Sequence, residues 1–438
     1  MAFAKAGLIH RTGCLTPRAF HTATIELMKT VFSCAALLPL LIAVAGGAEP
    51  TELREWHAQT GHTVEARALQ VSGDRVQLQR ADGKKVTVTM DTFTKEDQVA
   101  LREHFGIPDP EAGPPPPPEG EAAGDLPHPL GQPTGEISCS DEFSYFLYLP
   151  ESLRKGAKHP VVFVINPGGG SQGDINRYRP GAERNRWIIA VSKNAKNGFA
   201  GWFGAVDTMM THVTETLPID EDRIYTTGYS GGARMALATA RQHGHIAGVI
   251  PCAAGGGAGN SKQVVYGLCG TNCFNRSDMA RSFKGYKNKD CLLRYFPGNH
   301  DWAGDELCDD AITHLNGVFL IRNQSGYREE YAHYVHQVAS LIAECRESNP
   351  MRAYMWTSFL VDRDVKAPDL ADTHAALGED EANKLYAKGL EEVGEFAQKH
   401  FGGGSSSEKT SAACKREAPK YAGTPWEEIL NRMAEDAK

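Results

Sequence analysis

The chain has 438 residues and a net charge of −8, with 23% charged and 41% hydrophobic residues. This length allows two or three domains. The negative charge and the lack of a basic cluster argue against a nucleic-acid partner.

The N-terminal segment has the pattern of an export signal. Met28-Lys29-Thr30 precedes an apolar run from Val31 to Val44, and the small residues 45–48 follow. We interpret residues 1–48 as a secretory signal peptide cleaved after Ala48, with Met28 as the true start. The run is too short for a convincing membrane span, although an uncleaved anchor is the alternative. The mature protein is therefore expected to be periplasmic or extracellular, without a stable membrane span.

The cysteines after the signal peptide are expected to meet an oxidising compartment, where disulfides persist. The sequence cannot give their pairing. Each one could instead be a small buried hydrophobic residue. Their spacing does not indicate a zinc site, and we expect no metal or other cofactor. These residues are Cys139, Cys252, Cys269, Cys273, Cys291, Cys308, Cys345 and Cys414.

Residues 51–106 are predicted to form a small β domain. Short strands are expected at 64–71, 75–80 and 85–90, and Asp82-Gly83 is a strong hairpin signal. The domain resembles the Sla homology domain of the first type, through Arg54-x-Trp56, Gly61, Glu65-Ala66, Val76-x-Leu78, Asp82-Gly83-Lys84 and Asp97. That resemblance implies a small β-barrel that binds a ligand, whose identity stays unknown. Trp56 could be a ligand platform or a core residue.

A proline-rich linker is predicted at 107–136. It contains five consecutive prolines, 114–118, which favour an extended, semi-rigid spacer. Docking to a proline-binding domain is the alternative.

From 137 to 320 the chain alternates between apolar strands and helices. Continuous apolar runs such as Val161–Ile165 indicate strands that are buried on both faces. We predict an α/β fold with a doubly wound, mostly parallel sheet, in which function lies at the carboxyl ends of the strands. Residues 321–438 are predicted to be a helical extension without chemistry of its own.

The most informative motif is Gly228-Tyr229-Ser230-Gly231-Gly232, which lies between a predicted strand and a predicted helix. This is the layout of a nucleophile elbow, in which a serine is exposed on a tight turn. The alternative is an ordinary strand-to-helix turn without a catalytic role. A second Gly-x-Ser-x-Gly match surrounds Ser171, but no helix-forming run follows it, so Ser171 is rejected as a nucleophile.

A serine nucleophile needs a base, an orienting acid and oxyanion donors. His300 follows the last predicted sheet strand, where the base of an α/β-hydrolase belongs. The Gly231 N–H, together with those of Gly168 or Gly169, would form the oxyanion hole. A phosphate-binding loop is set aside because the Gly-Lys-Ser/Thr ending is missing.

Residues 161–302 resemble secreted α/β-hydrolases of the polyester-depolymerase and feruloyl-esterase type. The resemblance is carried by Pro167-Gly168-Gly169-Gly170, Ile219-Asp220-x-x-Arg223-Ile224-Tyr225-x-x-Gly228-Tyr229-Ser230-Gly231-Gly232 and Gly298-x-His300-x-Trp302. It implies an aspartate at position 273, where this chain has Cys273. We predict Asp278 as the orienting acid; the alternative is an incomplete triad. Trp202, Trp302 and Tyr229 are expected to line the substrate pocket, with core packing as the alternative for both tryptophans.

These observations predict an exported serine esterase that forms an acyl-enzyme on Ser230. By resemblance, its substrate is a polysaccharide-linked acyl ester or a short polyester. Two alternatives stay open: a peptidase on the same fold, and a catalytically inactive hydrolase-fold binding protein, which Cys273 favours.

Overall fold

The computed structural model describes residues 50–72, 75–105, 126–257, 259–403 and 406–436. The predicted signal peptide and most of the predicted linker lie outside these ranges. The chain divides into two compact units, residues 1–107 and residues 108–438, and each is taken by itself.

The first unit contains a four-stranded antiparallel sheet in the order β1-β2-β3-β4. The side chain of Trp56 is 1% exposed, and its indole N–H donates a hydrogen bond to the Ala66 carbonyl at 3.0 Å. Trp56 is therefore a core residue, which removes the ligand-platform interpretation. The elements are β1 (Arg54–His57), β2 (Thr63–Ser72), β3 (Arg75–Arg80), β4 (Lys85–Thr89) and α1 (Lys95–Phe105).

An eight-stranded sheet organises the second unit, with the strand order β5-β6-β8-β7-β9-β10-β11-β12. Neighbouring strands are parallel except where β6 meets β5 and β8. The predicted α/β fold with a mostly parallel sheet is thus confirmed. The strands are β5 (Ile137–Ser138), β6 (Ser144–Tyr148), β7 (His159–Ile165), β8 (Ile188–Ser192), β9 (Ile219–Tyr229), β10 (Gly248–Cys252), β11 (Val264–Gly270) and β12 (Leu292–Phe296).

Helices follow most of these strands and then form the C-terminal region. Strand β7 is buried along its whole length, as expected for a central strand covered on both faces. The helices are α2 (Arg179–Asn185), α3 (Trp202–Thr216), α4 (Gly231–Gln242), α5 (Arg276–Gly285), α6 (Asp305–Arg322), α7 (Arg328–Cys345), α8 (Pro350–Val361), α9 (Leu370–Leu377), α10 (Glu381–His400), α11 (Ser407–Glu417) and α12 (Pro425–Asp436).

A buried ionic cluster attaches the C-terminal helices to the sheet. Asp310 on α6 accepts hydrogen bonds from Arg294 on β12 at 2.6 Å and from Arg352 on α8 at 2.9 Å. Arg294 also donates to the hydroxyl of Tyr386 on α10 at 2.6 Å. Because Asp310 is fully buried, each charge in the cluster depends on its partners.

All eight cysteines of the described residues are free thiols. The disulfides predicted from sequence are therefore not present in this part of the chain. Within the same residues, no helix is long and apolar enough to cross a membrane. No group of three or more potential metal ligands comes together there either.

Candidate active site

The turn between β9 and α4 holds Ser230 in a strained backbone conformation, with φ 52° and ψ −118°. Positive φ in a residue other than glycine is costly and concentrates at functional sites. Positions 228 and 232, which flank Ser230, must be glycine, because there is no room for a side chain. A Cβ on Gly228 would lie 2.5 Å from the Gly232 carbonyl, and one on Gly232 would lie 2.1 Å from the Ile165 oxygen. The geometry is that of a nucleophile elbow.

Ser230 and His300 meet above the carboxyl ends of the sheet strands. The Oγ of Ser230 lies 2.8 Å from Nε2 of His300, although the residues are 70 positions apart. The hydroxyl of Tyr229 donates a hydrogen bond to the His300 carbonyl, so the residue before the nucleophile holds the histidine loop in place. The arrangement suits proton transfer from the hydroxyl to the imidazole.

The other imidazole nitrogen faces a sulfur atom. Nδ1 of His300 lies 3.1 Å from Sγ of Cys273, whose side chain is 1% exposed. The loops after β11 and β12 are pressed together there, since the Asn272 N–H donates to the Gly298 carbonyl at 2.9 Å. A Cβ on Gly270 would lie 2.0 Å from the Asn299 oxygen. This close packing places Cys273 next to His300.

Asp278 does not occupy the predicted position. Its carboxylate accepts hydrogen bonds from Arg234 at 2.8 Å and from the Gly255 N–H at 3.2 Å. Among the described residues, none of its hydrogen bonds reaches His300. Asp278 lies in the first turn of α5, where its carboxylate forms an ion pair with the guanidinium on α4 and is directed away from the imidazole. The prediction of Asp278 as the orienting acid therefore needs correction.

In the glycine loop after β7, the backbone amides of Gly168 and Gly169 already have hydrogen-bond acceptors within the loop. The Gly168 N–H donates to Oδ1 of Asn166 at 2.9 Å, and the Gly169 N–H donates to the Asn166 carbonyl at 3.0 Å. Neither amide is free for an oxyanion, contrary to the sequence prediction. The Gly231 N–H is different, because it belongs to the first turn of α4 and has no acceptor within the helix.

A side chain missed at the sequence level lies beside Gly231. A Cβ on Gly231 would lie 1.9 Å from Oδ1 and 2.9 Å from Nδ2 of Asn197. The Asn197 N–H donates to the Pro167 carbonyl at 2.9 Å, which places this residue between the glycine loop and the nucleophile. An asparagine amide carries two N–H donors. No motif pointed to Asn197, since it lies in a loop distant in sequence from Gly231.

Aromatic rings surround the histidine. Tyr229 and Trp302 stack with ring centroids 5.0 Å apart, as expected if both line one wall. Phe274 stacks on His300 at 3.9 Å and is 76% exposed, so it presents an apolar face at the site entrance. Trp202 begins α3 and makes its aromatic contact with Phe203. The signal for Phe274 was its place beside Cys273 in the loop after β11.

Ser171, in the second Gly-x-Ser-x-Gly match, has a structural role. It precedes a short 3-10 helix, and the Asp174 carboxylate accepts hydrogen bonds from its N–H at 2.9 Å and its hydroxyl at 3.1 Å. Ser171 and Asp174 form a capping box at the start of this helix. Ser171 therefore satisfies a helix terminus.

A search of solved structures finds esterases with limited overlap. S-formylglutathione hydrolase FrmB from Staphylococcus aureus has 16% identity and a TM-score of 0.35, over 44% of this chain and 99% of that chain. Est1E from Butyrivibrio proteoclasticus has 16% identity and a TM-score of 0.34, over 41% and 96%. The carboxylesterase EstE1 from a metagenomic library has 12% identity and a TM-score of 0.34, over 43% and 91%. Overlaps this limited do not indicate an activity.

A search of curated protein sequences finds no match. A family model does match the N-terminal region and confirms the resemblance predicted there: residues 45–107 match SLA1 homology domain 1, SHD1.

Proposed function

We propose that this protein is a serine hydrolase that cleaves esters through an acyl-enzyme on Ser230. The observation that carries the proposal is the 2.8 Å separation of Ser230 Oγ from His300 Nε2, on an elbow with positive φ. A strained, partly exposed serine beside a base is the arrangement that nucleophilic catalysis requires.

The reaction follows from these atoms. Ser230 Oγ bonds to the ester carbonyl carbon while its proton passes to Nε2 of His300, giving a tetrahedral oxyanion. The imidazolium then protonates the leaving alcohol as the C–O bond breaks, leaving an acyl-enzyme. Water attacks this ester by the same route, losing its proton to Nε2 and releasing the acid and the serine.

The oxyanion would be stabilised by the Gly231 N–H and the Asn197 side-chain amide. Both lie beside Ser230, since the amide of Asn197 fills the space where a Gly231 side chain would be. Fixed donors aimed at developing negative charge supply a large part of the rate enhancement in such enzymes. Gly231 is kept from the sequence prediction, and the Asn197 side chain replaces the Gly168 and Gly169 amides.

The substrate class is a proposal that rests on the aromatic wall and on the family resemblance. Phe274 presents its ring to solvent next to His300, and Tyr229 and Trp302 stack beside the same histidine. Aromatic surfaces suit the faces of sugar rings and of planar acyl groups. We therefore propose a polysaccharide-linked acyl ester or a short polyester, met by an exported protein whose SHD1 unit binds a separate ligand.

The test is hydrolysis of aryl esters such as p-nitrophenyl acetate, combined with labelling by a fluorophosphonate probe. Ser230→Ala should abolish both turnover and labelling. Ser171→Ala is the matched control, since it removes a hydroxyl from the other Gly-x-Ser-x-Gly match and should keep both. A folded wild-type protein that neither turns over esters nor takes the label would contradict the proposal. Equal turnover of matched anilides and esters would favour a peptidase.

A further inference from the structure

Cys273 occupies the place in the relay that a carboxylate normally fills. His300 has two ring nitrogens, with Ser230 Oγ at 2.8 Å from Nε2 and Cys273 Sγ at 3.1 Å from Nδ1. Hydroxyl, imidazole and sulfur therefore form a continuous chain of contacts. We propose that the Cys273 thiolate is the positioning residue of this site, so that the hydrolase works with a serine–histidine–cysteine triad. This inference rests on the proposed function and names the group that orients its base.

The tautomer of His300 decides whether the site can work. A general base must present the lone pair of Nε2 to Ser230, which requires the ring proton to be on Nδ1. A neutral thiol donating to Nδ1 would force the opposite tautomer, with a proton on Nε2. A thiolate accepts a hydrogen bond from Nδ1–H, holds the correct tautomer and offsets the positive charge that develops on the ring.

The surroundings of Cys273 favour its ionised form. A hydrogen bond from the Cys269 thiol and the contact with His300 lower the pKa of Cys273 to about 6, against the opposing effect of burial. The lowered pKa favours the thiolate near neutral pH. The two neighbouring thiols stay neutral, because burial raises the pKa of Cys252 to about 12 and raises that of Cys269 well above its usual value.

Several elements pack around the Cys273 sulfur, and each of them brings a titratable or charged group close to it. His300 lies on the loop after β12, and Cys269 is on β11. The remaining groups are Cys252 on β10, Tyr229 on β9, Tyr295 on β12 and, next to Cys269, Arg276 on α5. Tyr229 and Tyr295 stay neutral near pH 7, since burial raises the pKa of both phenols. Among these thiols and phenols, Cys273 alone has a lowered pKa.

Burial separates this role from that of a nucleophile. The Cys273 side chain is 1% exposed and lies behind the imidazole, whereas Ser230 lies at the start of α4 on the open side. A substrate carbonyl that reaches Ser230 Oγ is kept from Sγ by the histidine ring. Cys273 acts through His300 and forms no bond to substrate.

The decisive experiment compares three substitutions at position 273, with p-nitrophenyl acetate as substrate. Cys273→Ala should lower kcat by about 10³-fold or more with little change in KM, the scale seen when a triad loses its orienting anion. Cys273→Ser, which keeps a neutral hydrogen-bonding group, should be as impaired as Cys273→Ala. Cys273→Asp should restore kcat to within about ten-fold of wild type, because a carboxylate can hold the same tautomer. Wild-type-like turnover by Cys273→Ala or Cys273→Ser would overturn the proposal.

A pH profile gives a readout that simple packing would not change. Cys269→Ala removes the hydrogen bond that stabilises the thiolate. Its acid limb of kcat/KM should therefore move to higher pH by about one unit, with the plateau at high pH retained. Cys308→Ala is the matched control, since it removes a buried thiol on α6 and should leave the limb in place. A limb that does not move in Cys269→Ala would count against the thiolate.

Nitrogen-15 NMR of labelled histidine tests the proposal without turnover. Wild-type protein and Ser230→Ala should both show His300 protonated on Nδ1, and Cys273→Ala should lose that tautomer. If the tautomer is present but esters are not cleaved, the proposed function fails while the thiolate contact stands. If esters are cleaved but Nδ1 carries no proton, the triad assignment fails while the hydrolase proposal stands.

Discussion

Replacing Asp278 with asparagine should leave catalysis almost unchanged, because its carboxylate pairs with Arg234 at 2.8 Å and not with His300. The two side chains of this pair are 36% and 50% exposed. An ion pair that open to water is worth about 0–1 kcal/mol. The asparagine oxygen can still accept the Gly255 N–H.

Two outcomes can therefore be separated by magnitude. If Asp278 only links α5 to α4, kcat of Asp278→Asn should stay within about three-fold of wild type, less than 1 kcal/mol in activation free energy. Its Tm should fall by about 1–4 °C. If Asp278 oriented His300, kcat would fall by about 10⁴-fold, or roughly 5 kcal/mol.

Steady-state hydrolysis of p-nitrophenyl acetate and calorimetric melting measure both quantities. Arg234→Gln is the matched control, since it breaks the same ion pair from the other side and should give a similar Tm and a retained kcat. The double variant should be no less stable than the more affected single variant. A folded Asp278→Asn protein with a hundred-fold loss of kcat would refute the assignment drawn from these contacts.

Three further outcomes are expected. Asn197→Ala should lower kcat by about 10²-fold, or roughly 3 kcal/mol, with KM little changed; kcat equal to wild type would remove its amide from the oxyanion site. Asp310→Asn removes the carboxylate that two buried arginines share, although Arg352 keeps its contact with Asp309, and should cost about 3–5 kcal/mol in urea unfolding. Glu381→Gln, at an exposed pair, should cost less than about 0.5 kcal/mol. Stability should fall as pH drops from about 6.5 towards 4, because burial lowers the pKa of His314 to about 4 and of His333 to about 3. The unfolded chain therefore binds more protons than the folded protein in this window. Melting curves in which His314→Gln shows the same pH dependence as wild type would contradict this.

Several features of the protein follow from local sequence. At the tight turn around Ser230, backbone atoms lie within 2.6 Å of where a Cβ on Gly228 or Gly232 would be. Only glycine fits at these two positions, so the turn can be recognised from the motif alone. Strand β7 is apolar throughout because both faces are covered. A local requirement of this kind is visible in a short window of residues, which explains why the elbow, the sheet class and the SHD1 unit could be predicted.

The contacts around His300 depended on the tertiary structure. Which side chain meets Nδ1 is set by how the loops after β11 and β12 press together, and Asp278 is turned away by a partner on α4. The same holds for the Gly168 amide, which bonds to Asn166, and for Asn197. Each of these pairings joins groups on different segments or depends on a side-chain rotamer.

The sequence by itself thus determined a serine elbow on an α/β sheet, because steric and hydrophobic demands act between residues that are near one another in the chain. Only the folded structure decided that a sulfur lies against the histidine and that the cysteines of the described residues are free thiols. The physical reason is that hydrogen bonds of 3 Å are decided by the positions of loops that meet only after the sheet has formed.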